Sequence, residues 1–231
     1  MFPEIYYLFI SIFLYQGLYK LADIFYKNNT FYSSLENDRK RYFQKNMVKA
    51  STLFFISVYS TPTLLNGMIY KTWDNIFIYR IGYFYSGLDL IGLINVKNLP
   101  LNSKIHHSTT ILFSILSTFV DYNQNNFWIG LPVYCILSCY AFGVNYFLAQ
   151  RLINPIKEMK KLIDFNIISY ILLLAINWTY QIYNLYNKVE SLNDVTWDMI
   201  LYVSLILFVA NDDIKLINFM RHIRDKVVRD K

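Results

Sequence analysis

The sequence predicts an all-α fold, a polytopic transmembrane bundle of about seven helices. Three observations predict it. Of the 231 residues, 55% are hydrophobic and only 16% are charged, whereas a soluble domain carries about 25% charged residues. Seven stretches approach the ~20 mostly apolar residues that a spanning helix needs. The basic residues between these stretches then fall almost entirely on one side of a membrane, as the positive-inside rule requires.

The first segment, Ile5–Phe25, has no basic lead-in and no small-residue cleavage site after it, so it is expected to be a retained span and not a signal peptide. The second, Lys49–Tyr70, holds Pro62 among Ser60, Thr61 and Thr63, an expected kink. The third, Asn75–Val96, and the fourth, Leu101–Tyr122, are joined by a short turn around Asn98-Leu99-Pro100. The fifth, Phe127–Gln150, carries Cys135 and Cys139 one turn apart. Two buried thiols on one helix face explain them, since a metal or redox site needs more ligands. The sixth is Leu162–Tyr186. The seventh, Trp197–Met220, is cleanly apolar only from Met199 to Ala210. Asn211-Asp212-Asp213 and Lys215 then read as a wet helix end.

With the N-terminus outside and the C-terminus in the cytosol, eighteen Lys and Arg fall on the cytosolic side and only Lys71 and Lys188 on the other. The net charge of +6 is thus a topology signal, with added attraction to anionic lipid heads. It gives no reason to expect nucleic acid. Aromatic residues reach 19%, with 21 Tyr, which suits the membrane–water boundary. The loops are too short for a second domain.

Charged side chains inside a span are costly and usually face the bundle interior. Lys20, with Asp23 one turn away, and Arg80 lie near span ends and can snorkel. Asp89 lies about two turns inside the third span, and its stem is too short for that. The fourth span offers a partner. At 100° per residue, His106, His107, Thr110, Ser114, Ser117 and Asp121 share an arc of about 100°. Across the short turn, Asp89 and the two histidines lie at similar depth. A carboxylate beside an imidazole fixes its tautomer and raises its basicity. The alternative is a satisfied polar cluster that glues helices together. The fifth span adds Ser138 and Asn145, seven apart, with Ala141 between.

Tyr85-Ser86-Gly87-Leu88-Asp89, followed by His106-His107-Ser108-Thr109-Thr110, resembles the TLC domain family. That family is shared by TRAM-like translocon proteins, ceramide synthases and a branch linked to membrane lipid composition and trafficking. Cys139-Tyr140-Ala141-Phe142-Gly143-Val144-Asn145 is similar to a later family segment, and the basic Arg39–Lys49 stretch sits where a charged lead-in would. The resemblance implies an N-terminal helix and cytosolic loop (1–38), a six-helix core (39–220) and a basic tail (221–231). It implies a central cavity that admits lipid chains, with His106, His107 and Asp89 as candidate catalytic residues. Thr110, Ser114, Ser117, Ser138 and Asn145 would line that cavity. Membrane lipids are the implied partners and the endoplasmic reticulum the implied location; no cofactor and no metal are implied.

Ceramide synthases carry further acids where this chain has Ser138, Ala141 and Asn145, so it looks closer to the non-synthase branch. Acyl-CoA-dependent N-acyl transfer is the alternative, with acyl-CoA as substrate. A heptahelical receptor or retinal protein is a further one, inviting a Schiff base at Lys215.

Overall fold

The computed structural model describes residues 3–124, 127–192 and 196–229, and its regular structure is helical throughout. The helices are α1 (Tyr6–Tyr26), α2 (Thr30–Ser34), α3 (Asn37–Tyr70), α4 (Asn75–Asn95), α5 (Leu101–Ser117), α6 (Gly130–Cys139), α7 (Phe142–Gln150), α8 (Lys160–Leu192) and α9 (Trp197–Arg229). Counting α6 and α7 as one bent rod and setting aside the five-residue α2, each expected segment falls on one rod.

Four differences from the sequence reading have local causes. At 1.5 Å per residue α3 is about 51 Å long, well beyond a ~30 Å hydrocarbon core, so the charged lead-in is its first third and not a loop. The helix also runs through Pro62 without a break. α5 stops at Ser117, so Asp121 leaves the predicted polar stripe. Instead its carboxylate accepts from the Asn75 side chain at 2.6 Å and from the Asn123 amide at 3.0 Å. The fifth segment breaks at Tyr140-Ala141, where both amides donate to carbonyls three residues back. This tightening turns the chain by 41°.

Among the described residues, Tyr6–Tyr26, Asn37–Tyr70 and Ile156–Val189 are long and apolar enough to cross a membrane, and the bent pair makes a fourth where it counts as one span; by this measure three to four rods qualify, against the seven expected. α5 is short, and α4 and α9 carry charge along their length. Phe13, Phe25, Phe55, Phe165 and Ile182 all point outward and are well exposed. Such a continuous apolar exterior is foreign to a water-facing surface.

Six rods close into a ring. α3 packs on α4, α4 on α5, α5 on α9, α9 on α8, α8 on the α6–α7 pair, and that pair on α3. α1 lies outside, against α3 and α4. Gly87 permits the α1–α4 approach, since a Cβ there would strike the Ser11 hydroxyl. The ring is sealed at one end by Phe113, Tyr122, Phe127, Trp128 and Tyr202. There Asn123 holds the Trp73 backbone from both sides, at 2.8 and 2.9 Å. The other end, which carries Lys45, Arg151 and Lys215, stays open.

Candidate functional site

The open end of the ring holds a cavity of about 370 Å³, within the usual range for small-molecule sites. All six ring rods contribute to its wall, and α1 does not. His106, His107 and Thr110 come from α5, Ser138 from α6 and Asn145 from α7. Tyr134, Leu173, Leu174 and Leu216 make an apolar floor and side.

His107 is buried, and its Nδ1 lies 2.9 Å from Asp89 Oδ1. The same oxygen receives Lys49 Nζ at 2.7 Å. The short α4–α5 turn sets the depth of the first contact. The second is long-range and depends on α3 lying beside α4. Asp89 is 1% exposed and stands behind His107 and Lys49, off the cavity wall. It therefore acts on the cavity only through its two partners.

His106 is half-buried, set edge-on to His107 with ring centroids 5.5 Å apart. Its Nδ1 lies 3.3 Å from Asp212 Oδ2 across the α5–α9 contact. The cluster is incompletely satisfied among the described residues. Asp89 Oδ2 and both imidazole Nδ1 atoms are buried without a well-aligned hydrogen bond. Unmet polar groups of this kind cost free energy unless something supplies partners.

Of the residues expected from sequence, the structure brings His106, His107, Asp89, Thr110, Ser138 and Asn145 to one site. Thr110 Oγ1 donates to the His106 carbonyl at 3.0 Å. Ser114 and Ser117 lie deeper, beside a separate and much smaller apolar cavity. Ser117 is there engaged with the Tyr122 hydroxyl at 2.7 Å. Cys139 is buried and its thiol donates to the Cys135 carbonyl; Cys135 is half-buried.

Several site residues escaped the sequence reading. Lys45 and Lys49 were expected in a wet loop but are 7% and 6% exposed. Asp212 and Asp213 were expected at a wet helix end, yet α9 continues to Arg229. Asp213 is buried and accepts from the Tyr170 hydroxyl at 2.6 Å. One signal was available: two adjacent aspartates inside a helix that keeps its apolar period beyond them. Lys215 lies exposed at the rim of the cavity. Asp23, placed beside Lys20 in sequence, instead accepts from Tyr32 at 2.6 Å and Gln44 at 3.0 Å.

Chemically, the arrangement places imidazoles next to carboxylates at the polar end of a pocket with an apolar interior. It can hold or move a proton at an imidazole nitrogen, and it can hold an amphiphilic molecule. No family model, no curated protein and no solved structure matches the chain.

Proposed function

We propose that the chain is a multi-pass membrane protein of TLC type whose His- and Asp-lined cavity binds membrane lipids, in the service of lipid sensing, trafficking or metabolism. One observation carries this reading: six rods enclose a half-polar, half-apolar cavity with His106 and His107 on its wall. The outward apolar belt supports the membrane setting. The charge asymmetry supports seven spans, with the N-terminus outside and the C-terminus cytosolic. Six ring rods with α1 outside match the six-plus-one arrangement that the resemblance implies. Residence in the endoplasmic reticulum follows from that resemblance.

The test is crosslinking in membranes with a photoactivatable phospholipid carrying its reactive group on the acyl chain. Crosslinks at Leu173, Leu174 or Leu216 are expected. Labelling confined to the outer belt would refute the reading.

The contact between Asp89 and His107 favours a second reading, acyl-CoA-dependent N-acyl transfer. An amine would attack the thioester carbonyl while His107 takes its proton; the C–S bond then breaks, and the released thiolate regains a proton as the thiol. Microsomes given labelled sphingoid base and acyl-CoA would form the amide, and His107→Ala would abolish it. Product that survives His107→Ala refutes this reading.

A further inference from the structure

The basic residues at the cavity mouth carry an inference about which amphiphile fits. Lys45 is 7% exposed and lines the cavity. Its neighbour one turn on, Lys49, spends its charge on Asp89. Lys45 makes no direct ion pair and no hydrogen bond among the described residues, with Asp89 and Asp212 acting on it only from beyond contact; its Nζ lies 5.6 Å from the centre of the Tyr42 ring. A lysine so buried needs a counter-ion or neutralisation.

Arg151, which caps the C-terminus of α7, meets the same Tyr42 ring, its Cζ 5.9 Å from the centre. It also stacks 4.7 Å from the centre of the Phe219 ring and, among the described residues, donates only to the Leu148 carbonyl, at 3.3 Å. Two cations from different rods thus converge on one aromatic at the mouth. The acids of the opposite wall are already engaged, Asp212 by His106 and Asp213 by Tyr170. Beyond the mouth the wall turns apolar, through Leu148, Leu173, Leu174 and Leu216.

We infer that the cavity selects an amphiphile with an anionic head group, a phosphate or carboxylate held by Lys45 and Arg151, its chain running toward Leu173 and Leu174. This rests on the lipid-binding reading above and adds the chemistry of the head. A buried charge-assisted contact of this kind changes affinity by about tenfold or more. The same pair would also take a free phosphate.

The experiment uses the full chain purified in uncharged detergent. Anisotropy follows two probes, a tail-labelled lysophosphatidate and the matching lysophosphatidylcholine. The wild type should bind the anionic probe about tenfold more tightly. Lys45→Met and Arg151→Gln should each shrink that margin to less than about threefold, while Lys104→Gln on the exposed face of α5 leaves it intact. Lys45→Met should be no less heat-stable than wild type without lipid, because it removes an unpaired buried charge. Displacement of the anionic probe by millimolar inorganic phosphate, lost in Lys45→Met, would support anion recognition with a free anion as its source. Persistence of the probe against phosphate would support the lipid head. Equal binding of both probes, or equal losses from Lys45→Met and Lys104→Gln, overturns this inference and leaves the lipid cavity standing. If neither probe binds, both the inference and the lipid-binding reading fall.

Discussion

Removing the lysine that faces Asp89 should cost more than removing the histidine. The Lys49–Asp89 pair is 2.7 Å apart, with side chains 7% and 0% exposed. At an effective dielectric of ~20, charges that close attract by about 6 kcal/mol. Desolvating the two ions costs several kcal/mol each, so the pair as a whole contributes little net stability. Lys49→Met destroys this balance, because Asp89 stays buried with only an imidazole beside it. The expected loss is about 3–5 kcal/mol. His107→Ala leaves the ion pair intact and should cost only about 1–3 kcal/mol. Lys49→Met combined with Asp89→Asn removes both charges, and should recover most of the single-variant loss. Equilibrium unfolding by sodium dodecyl sulfate in mixed micelles, followed by circular dichroism, measures these four proteins and Asp89→Asn alone, which completes the cycle. A Lys49→Met loss below about 1 kcal/mol, or a double variant as weak as the sum of the singles, would refute the buried pair.

Three further outcomes follow from the same geometry. Tyr170→Phe strands the Asp213 carboxylate on α9 and should cost about 1–3 kcal/mol by the same unfolding assay, with much of the loss recovered when Asp213→Leu is added. Gly87→Ala drives a methyl into Ser11 and should cost about 1–3 kcal/mol; adding Ser11→Gly should restore most of it, which separates a packing clash from a helix-propensity effect. Asp121, in the turn beyond α5, is held below its ordinary value of 3.8, first by the Asn75 side chain and then by the Asn123 amide. A lowered value in the folded state means that its contribution is present above about pH 4 and fades as acid protonates the folded carboxylate. The stability gap between wild type and Asp121→Asn, measured against pH, should be constant above pH 5 and close below pH 4. A gap independent of pH would refute the assignment.

The helical rods were legible because each apolar run is long enough to show itself without its neighbours. The Asp89–His107 contact was legible too, because a short turn fixes the depth of both residues from either side. The contacts that complete the site lack such a tether. Lys49 reaches Asp89 across 40 positions of sequence, and only closure of the ring brings α3 against α4. Counting Lys45 and Lys49 as cytosolic charge accounted for them electrostatically and concealed their burial. His106 and Asp212 meet because α5 packs on α9, which no spacing within either helix announces. The break at Tyr140-Ala141 was hidden for a local reason: neither residue is Gly or Pro, and Gly143 lies two positions later. Just past the break α7 packs closely on α8, where a Cβ at Gly143 would strike Asn166.

The rods that make the poorest membrane spans by composition carry the carboxylates and imidazoles of the site. α4 loses hydropathy to Arg80 and Asp89, α5 to its histidines and hydroxyls, and α9 to Asp212, Asp213 and Lys215. Except for Arg80, which is exposed and lies over the Tyr7 ring, the main charged and imidazole groups among these line or back the cavity. In hydrocarbon such side chains must turn inward and find partners. Once turned inward, they cannot interlock like the aromatic cluster that seals the opposite end. Space is therefore left where the charges gather, and its walls carry polar atoms that the chain does not fully satisfy. Filling that space with apolar bulk should make the rods better spans and remove the site in the same step. Thr110→Leu with Ser138→Leu tests this in one protein: stability should hold or rise while lipid crosslinking at Leu173 and Leu174 disappears. If crosslinking survived the filling, the space beside the histidines would not be where the lipid sits.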